Sequence, residues 1–189
     1  MKKRNTFPQQ THFLGVIVPD DITSTLEDCR RFMNRKYGCK SGHSTPIHIT
    51  LVPPFRLPEE FCTKDLSSVI QQYVLSDYNI SSFVAHIDNF DAFADRTIFA
   101  KVSPSAHWTN LRDKVLAAVL MVAPTLTKKD MRPFQPHLTV ANRDIPAGAS
   151  IEALQVLNEL NFFEDFQVDN ITIFERINEK WKTASIFSI

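Results

Sequence analysis

Glycine is scarce in this 189-residue sequence: Gly15, Gly38, Gly42 and Gly148 are all there are. They are too scattered to form a glycine-rich loop around a nucleotide's phosphates, which argues against ATP-driven chemistry of that type. The three cysteines, Cys29, Cys39 and Cys62, form no Cys-x-x-Cys pair and are odd in number. They read as reduced thiols of a cytoplasmic protein rather than as a zinc knuckle or a disulfide framework. An excess of either charge is missing too, with 21 basic residues against 21 acidic ones. A surface that grips a long nucleic acid by neutralising phosphates usually needs a basic excess, so a nucleic-acid partner would be a short piece or an end. No apolar run approaches membrane-spanning length, so no membrane role is expected. Met1-Lys2-Lys3-Arg4 is basic like a secretory leader, but Phe13 to Val18 is too short for a leader's apolar region.

What the chain does have is one short phrase written twice. Pro46-Ile47-His48-Ile49-Thr50-Leu51-Val52 and Pro136-His137-Leu138-Thr139-Val140-Ala141 each set a His two residues before a Thr inside an apolar run. Side chains alternate along a strand, so His48 and Thr50 share one face, as do His137 and Thr139, while Ile49, Leu51, Leu138 and Val140 take the other. The bare pattern also fits His43 with Thr45 and His107 with Thr109. Context separates them. His107 follows Ser103-Pro104-Ser105, which reads as the capped start of a helix. His43 lies in a polar loop, either solvated or in contact with a substrate.

A coarse reading gives a strand over residues 11–18, then a helix with Ile22, Leu26, Cys29 and Met33 inward and a capping box from Ser24 and Glu27. The His48 strand should end at Pro53-Pro54, and a helix carrying Leu66, Val69, Ile70, Tyr73 and Val74 follows. Strands are expected at 83–89 and 97–102, joined through Asp91 to Asp95. Leu111, Val115, Ala118, Val119 and Val122 mark a helix that Pro124 ends. After a loop carrying Lys128, Lys129 and Arg132 and then the His137 strand, Ser150 should cap a helix with Ile151, Leu154, Leu157 and Leu160 inward. Two strands, 168–175 and 182–189, finish the chain.

The two halves match in order, strand, helix, His strand, helix, and the first strand leads its histidine by 35 residues in one half and 39 in the other. A duplicated unit of this rhythm predicts two similar lobes facing each other across a cleft. The expected fold class is α+β with α/β-like lobes: residues 1–189 in one domain, two antiparallel sheets facing a central groove, helices outside, pseudo-two-fold symmetric.

The paired His-x-Thr strands, the Pro53-Pro54-Phe55 that follows the first, and the spacing between them resemble the two-histidine phosphoesterase superfamily, most closely its 2′-5′ RNA ligase or RNA 2′,3′-cyclic phosphodiesterase branch. The resemblance covers nearly the whole chain. It implies a bilobal enzyme with one His-x-Thr from each lobe in a central groove. Many RNA-processing members have Arg five residues after the second motif His; here Asn142 stands there and Arg143 follows, with the parity to face the groove if the strand continues.

The residue types suit that chemistry. Opening a cyclic phosphodiester needs one group to take a proton from water and another to give one to the leaving ribose oxygen, and imidazoles with an ordinary pKa of ~6.5 can do both. His48 and His137 are the catalytic pair, with His48 read as acid and His137 as base, although their symmetry allows the reverse. Thr50 and Thr139 would donate to the phosphate oxygens. Phe55 could stack on a base or belong to the core. Arg143, Arg56 and the 128–132 cations could meet phosphate or be solvated, His43 is a further contact, and Phe93 and Phe134 could be pocket wall or core. No metal and no cofactor are expected, since neither motif brings a carboxylate or third His at ligand spacing. The expected partner is an RNA end, a short oligonucleotide or a small cyclic nucleotide, and the protein is expected to be a monomer. The rivals are a metallohydrolase using the two histidines as ligands and a non-catalytic nucleotide- or RNA-binding module of the same fold.

Overall fold

The structure is a computed structural model in which residues 9–124 and 133–189 are described. The cations at 128, 129 and 132 lie outside the described residues. The elements run β1 (His12–Ile17), α1 (Asp20–Tyr37), β2 (His48–Phe55), α2 (Thr63–Tyr73), β3 (Phe83–Phe93), β4 (Thr97–Val102), α3 (Ala106–Val122), β5 (His137–Asn142), α4 (Ala149–Asn158), β6 (Phe163–Val168), β7 (Asn170–Ile177) and β8 (Lys180–Ser188).

Among the described residues eight strands form one antiparallel sheet in the order β6-β3-β4-β5-β2-β1-β7-β8. This corrects the expectation of two sheets. The halves β6-β3-β4-β5 and β2-β1-β7-β8 are related across the centre, and they are spliced there by one ladder pair, Ile49 with Leu138. The seam therefore falls between the two motif strands. The helices cross it reciprocally: α1, which connects β1 to β2, lies against β5, and α3, which connects β4 to β5, lies against β2.

The apolar stripes explain this packing. Ile22, Leu26, Cys29 and Met33 of α1 are buried as their spacing requires, and Leu111, Val115, Val119 and Val122 of α3 pack beneath the other half. Burying a side chain of this size contributes about 1.5–3 kcal/mol, so these two stripes hold the helices on the sheet. Gly38 closes α1 in the left-handed conformation at φ 73°, and Ser105 caps α3 by accepting from the Trp108 amide.

Several local expectations fail for identifiable reasons. α1 starts at Asp20, with Asp20 and Asp21 in its first turn where the helix dipole favours them, so Ser24 and Glu27 are interior and form no capping box. β2 runs through Pro53 and Pro54 to Phe55, because its register with β1 is bulged between the His12–Phe55 and Leu14–Val52 pairs. β3 continues to Phe93, so Asp91 to Phe93 belong to a hairpin arm. α4 is capped by Gly148, and the Ser150 hydroxyl instead meets the Asp95 carboxylate. Within the helix Ser150, Ala153 and Leu157 face inward and Ile151 is exposed, as is Leu160 just beyond its end. Strand β6 has no counterpart in the sequence reading, because its residues Phe163 to Gln167 are mostly exposed on a sheet edge and show no apolar alternation.

Candidate active site

His48 opens β2 and His137 opens β5, each just after the segment that leads into its strand. The Ile49–Leu138 pair fixes their relation. Continued by one residue each way, antiparallel register sets His48 opposite Thr139 and Thr50 opposite His137, with all four on the face away from buried Ile49 and Leu138.

The two rings are held in the same way. The Nδ1 of His48 lies 2.7 Å from the Pro46 carbonyl oxygen, and the Nδ1 of His137 lies 2.8 Å from the Gln135 carbonyl oxygen. A carbonyl can only accept, so Nδ1 is the protonated nitrogen in both rings and Nε2 is left for chemistry. Aromatic side chains set the ring planes. Phe13 and Phe174, stacked on each other at 4.3 Å, lie 4.6 and 5.3 Å from the His48 ring, and Phe93 and Phe99 lie 5.1 and 5.2 Å from that of His137.

Close backbone approach completes the His48 side. Gly15 of β1 pairs with Thr50, and a β-carbon at position 15 would sit 2.5 Å from the Ile49 carbonyl oxygen and 3.4 Å from His48 Cδ2. Only glycine fits there.

Burial dominates the electrostatics. It pushes the His48 pKa down to about 4; the Pro46 carbonyl opposes this, and the nearby Arg30 and His137 add to it. Burial also lowers His137, opposed by the Gln135 carbonyl. Burial thus disfavours the charged form of both imidazoles, and His48 is neutral at pH 7 in the free protein.

The other expected contacts are dispersed. Phe55 is buried in the core near the His12 ring, which is the packing alternative of the two expected for it and not the stacking one. Arg143 follows the last residue of β5, is exposed, and adopts φ 72° while its amide bonds the Arg96 carbonyl; the strand does not continue, so the parity that would have aimed it at the groove does not apply. His43 is exposed in the turn before β2, and Arg56 pairs with Glu59. His107 stacks on Phe83. Phe93 is 41% exposed beside His137, whereas Phe134 packs near Trp108 under the Arg112 guanidinium. A depression of about 330 Å³ between α1 and α4, lined by residues including Cys29, Phe32 and Leu157, contains none of the motif residues.

Sequence reasoning missed Phe13, Phe174 and Phe99, which looked like ordinary core, and Arg30. Arg30 is 2% exposed and bonds the main chain at Thr45, three residues before β2, and at Thr139 within β5. A signal was present: Arg30 falls four residues after Leu26, inside the inward stripe of α1.

A centrally spliced sheet with one His-x-Thr strand from each half defines the two-histidine phosphoesterase class of enzymes. The model of the 2′-5′ RNA ligase superfamily matches residues 18–180, and the chain belongs to that superfamily. A Bacillus cytotoxicus protein named provisionally as a phosphoesterase is 25% identical over 147 residues, 76% of this chain and 79% of the relative. Among solved structures, TT0787 of Thermus thermophilus superposes with a TM-score of 0.68 at 20% identity, covering 94% of this chain and 97% of that one. Escherichia coli LigT in complex with 3′-AMP gives 0.63 at 14% identity over 95% and 98%.

Proposed function

We propose that the protein opens a 2′,3′-cyclic phosphate or cuts a 2′-5′ phosphodiester at RNA ends or in small nucleotides, by paired acid–base catalysis without a metal. The observation that carries this is the matched Nδ1–carbonyl lock, which leaves two Nε2 atoms on one face beside two hydroxyls. The LigT complex with 3′-AMP supports a nucleotide as the ligand class.

Of the two assignments the symmetry of the histidines allows, we take His48 as base and His137 as acid, because burial holds the His48 pKa at about 4. Neutral His48 takes the proton from water as the water oxygen bonds to phosphorus. His137, protonated in the presence of the substrate's negative charge, delivers a proton to the ribose oxygen as the P–O bond breaks. Thr50 and Thr139 donate to the non-bridging oxygens as charge grows on them. With a 5′-hydroxyl in place of water, the same base and acid form a 2′-5′ linkage. Water's abundance favours hydrolysis.

The test is incubation with 2′,3′-cyclic nucleotides, 2′-5′ dinucleotides and cyclic-phosphate-ended RNA, with and without EDTA, followed by mass analysis of the products. Turnover that survives chelation and leaves phosphate on one ribose hydroxyl is expected. Loss with EDTA and rescue by one divalent metal would establish the metallohydrolase instead. Tight binding without turnover would establish the binding module.

A further inference from the structure

The two halves match in strand order, motif and imidazole lock, yet one buried group has no counterpart. The inward residues of α3 are Trp108, Leu111, Val115, Ala118, Val119 and Val122, none of them charged. The inward residues of α1 include Arg30. Its Nη1 donates to the Thr45 carbonyl at 2.7 Å and to Glu27 Oε1 at 2.9 Å, and its Nη2 donates to the Thr139 carbonyl at 3.3 Å. Thr45 lies three residues before His48, and Thr139 lies inside the second motif. The guanidinium therefore joins the turn before the first motif to the second motif, where among the described residues the sheet links β2 and β5 by the Ile49–Leu138 pair alone.

Stability does not account for such a group. Desolvating a guanidinium costs several kcal/mol, and an apolar side chain of similar volume often serves as well or better. Arg30 is also incompletely satisfied, since its Nε is buried with no hydrogen-bond partner among the described residues.

We propose that Arg30 is a positioning residue that ties the turn leading into β2 to β5 at the seam and makes the matched histidines chemically unequal, fixing His48 as the proton acceptor. The proposal rests on the two-histidine reading of the site. Among the described residues, the charged or titratable groups acting on His48 are Arg30 from α1 and His137 from β5; its neighbours from β1 and β7, Phe13 and Phe174, carry no charge. Among those same residues, no cation acts on His137 in the same way.

The experiment is an NMR titration of the imidazole Cε1–H signals in the full chain, assigned with His48→Ala and His137→Ala. A positive charge opposes protonation, so Arg30→Met should raise the His48 midpoint by about one pH unit and move His137 much less. Arg30→Lys keeps the charge and loses the fork, so His48 should stay low while hydrolysis of a nucleoside 2′,3′-cyclic phosphate slows. Glu27→Gln, at the solvent rim, removes the carboxylate that offsets Arg30 and should lower His48 further. If Arg30→Met does not fold, Arg30→Gln and Glu27→Gln carry the test. Equal movement of both histidines, or an unmoved His48 in the neutral or Glu27 variants, would overturn the proposal. The titration needs no turnover: a protein inactive on every phosphodiester, but with the expected His48 shifts, would overturn the phosphodiesterase reading and not the clasp.

Discussion

The carbonyl beside each ring separates His48 and His137 from the other four histidines. His12 sits between the hydroxyls of Thr11 and Thr63, His86 pairs with Asp165, His107 stacks on Phe83, and His43 is exposed in a turn. Only the motif pair bonds Nδ1 to the carbonyl two residues earlier, which fixes the tautomer that general acid–base chemistry at Nε2 requires. His48→Ala and His137→Ala should each lower kcat by about 100-fold or more. The double variant should be hardly worse than either, because the two act as a unit. His107→Ala should leave kcat unchanged, and His43→Ala should alter KM more than kcat, with matched thermal melts showing that all are folded. Turnover lost in a folded His107→Ala and retained in His48→Ala would reject the assignment. The base role of His48 has its own signature. The acid limb of kcat/KM reports that group in the free enzyme and should fall well below the ordinary imidazole range, near the His48 value of about 4.

Among the elements, β1 depends on one missing side chain. The strand can lie against β2 beside His48 because Gly15 puts no carbon into the space bounded by the Ile49 carbonyl. Gly15→Ala must push β1 away from β2 or displace the carbonyl, since the clash is with backbone and not with the end of a flexible side chain. The expected loss is about 1–3 kcal/mol, the range for overpacking a well-packed core, with a fall in kcat larger than the change in KM. Urea unfolding and steady-state kinetics on the same sample check both. A Gly15→Ala protein of wild-type stability and activity would mean that the close approach is unimportant. The α4 helix shows the opposite balance. Its sequence stripe is regular, but Ser150, in contact with Asp95, takes the inward face and Ile151 is 68% exposed.

For the whole molecule, three histidines, His12, His48 and His137, have pKa values depressed mainly by burial. A depressed imidazole binds fewer protons folded than unfolded over the interval between its two pKa values. Stability therefore rises with pH across that interval and is fully present above the unfolded value of ~6.5. Acidification from neutrality should destabilise the fold progressively towards His48's value of about 4, with His48 alone contributing up to about 3 kcal/mol. Replacing His48 with Asn should flatten that part of the profile, measurable by urea midpoints at successive pH values. An unchanged slope would show that His48 is not desolvated in solution. Because a bound phosphate would favour the charged imidazole, saturating phosphate should reduce the slope as well.

The duplicated order of elements, the two His-x-Thr strands and the inward stripes of α1 and α3 were legible in the amino-acid chain alone, because periodicity and short-range pattern are local properties of a chain. The sequence also carried the family, since both motifs and their spacing are visible without a fold. It took the folded chain to show that the halves share one sheet through a single pair at Ile49 and Leu138, that Phe55 is core, that β5 stops before Arg143, and that Arg30 joins the turn before β2 to β5. Each of these depends on groups far apart in sequence meeting in space. The difference between two histidines in nearly identical local phrases is likewise set by burial and by charges contributed from other elements.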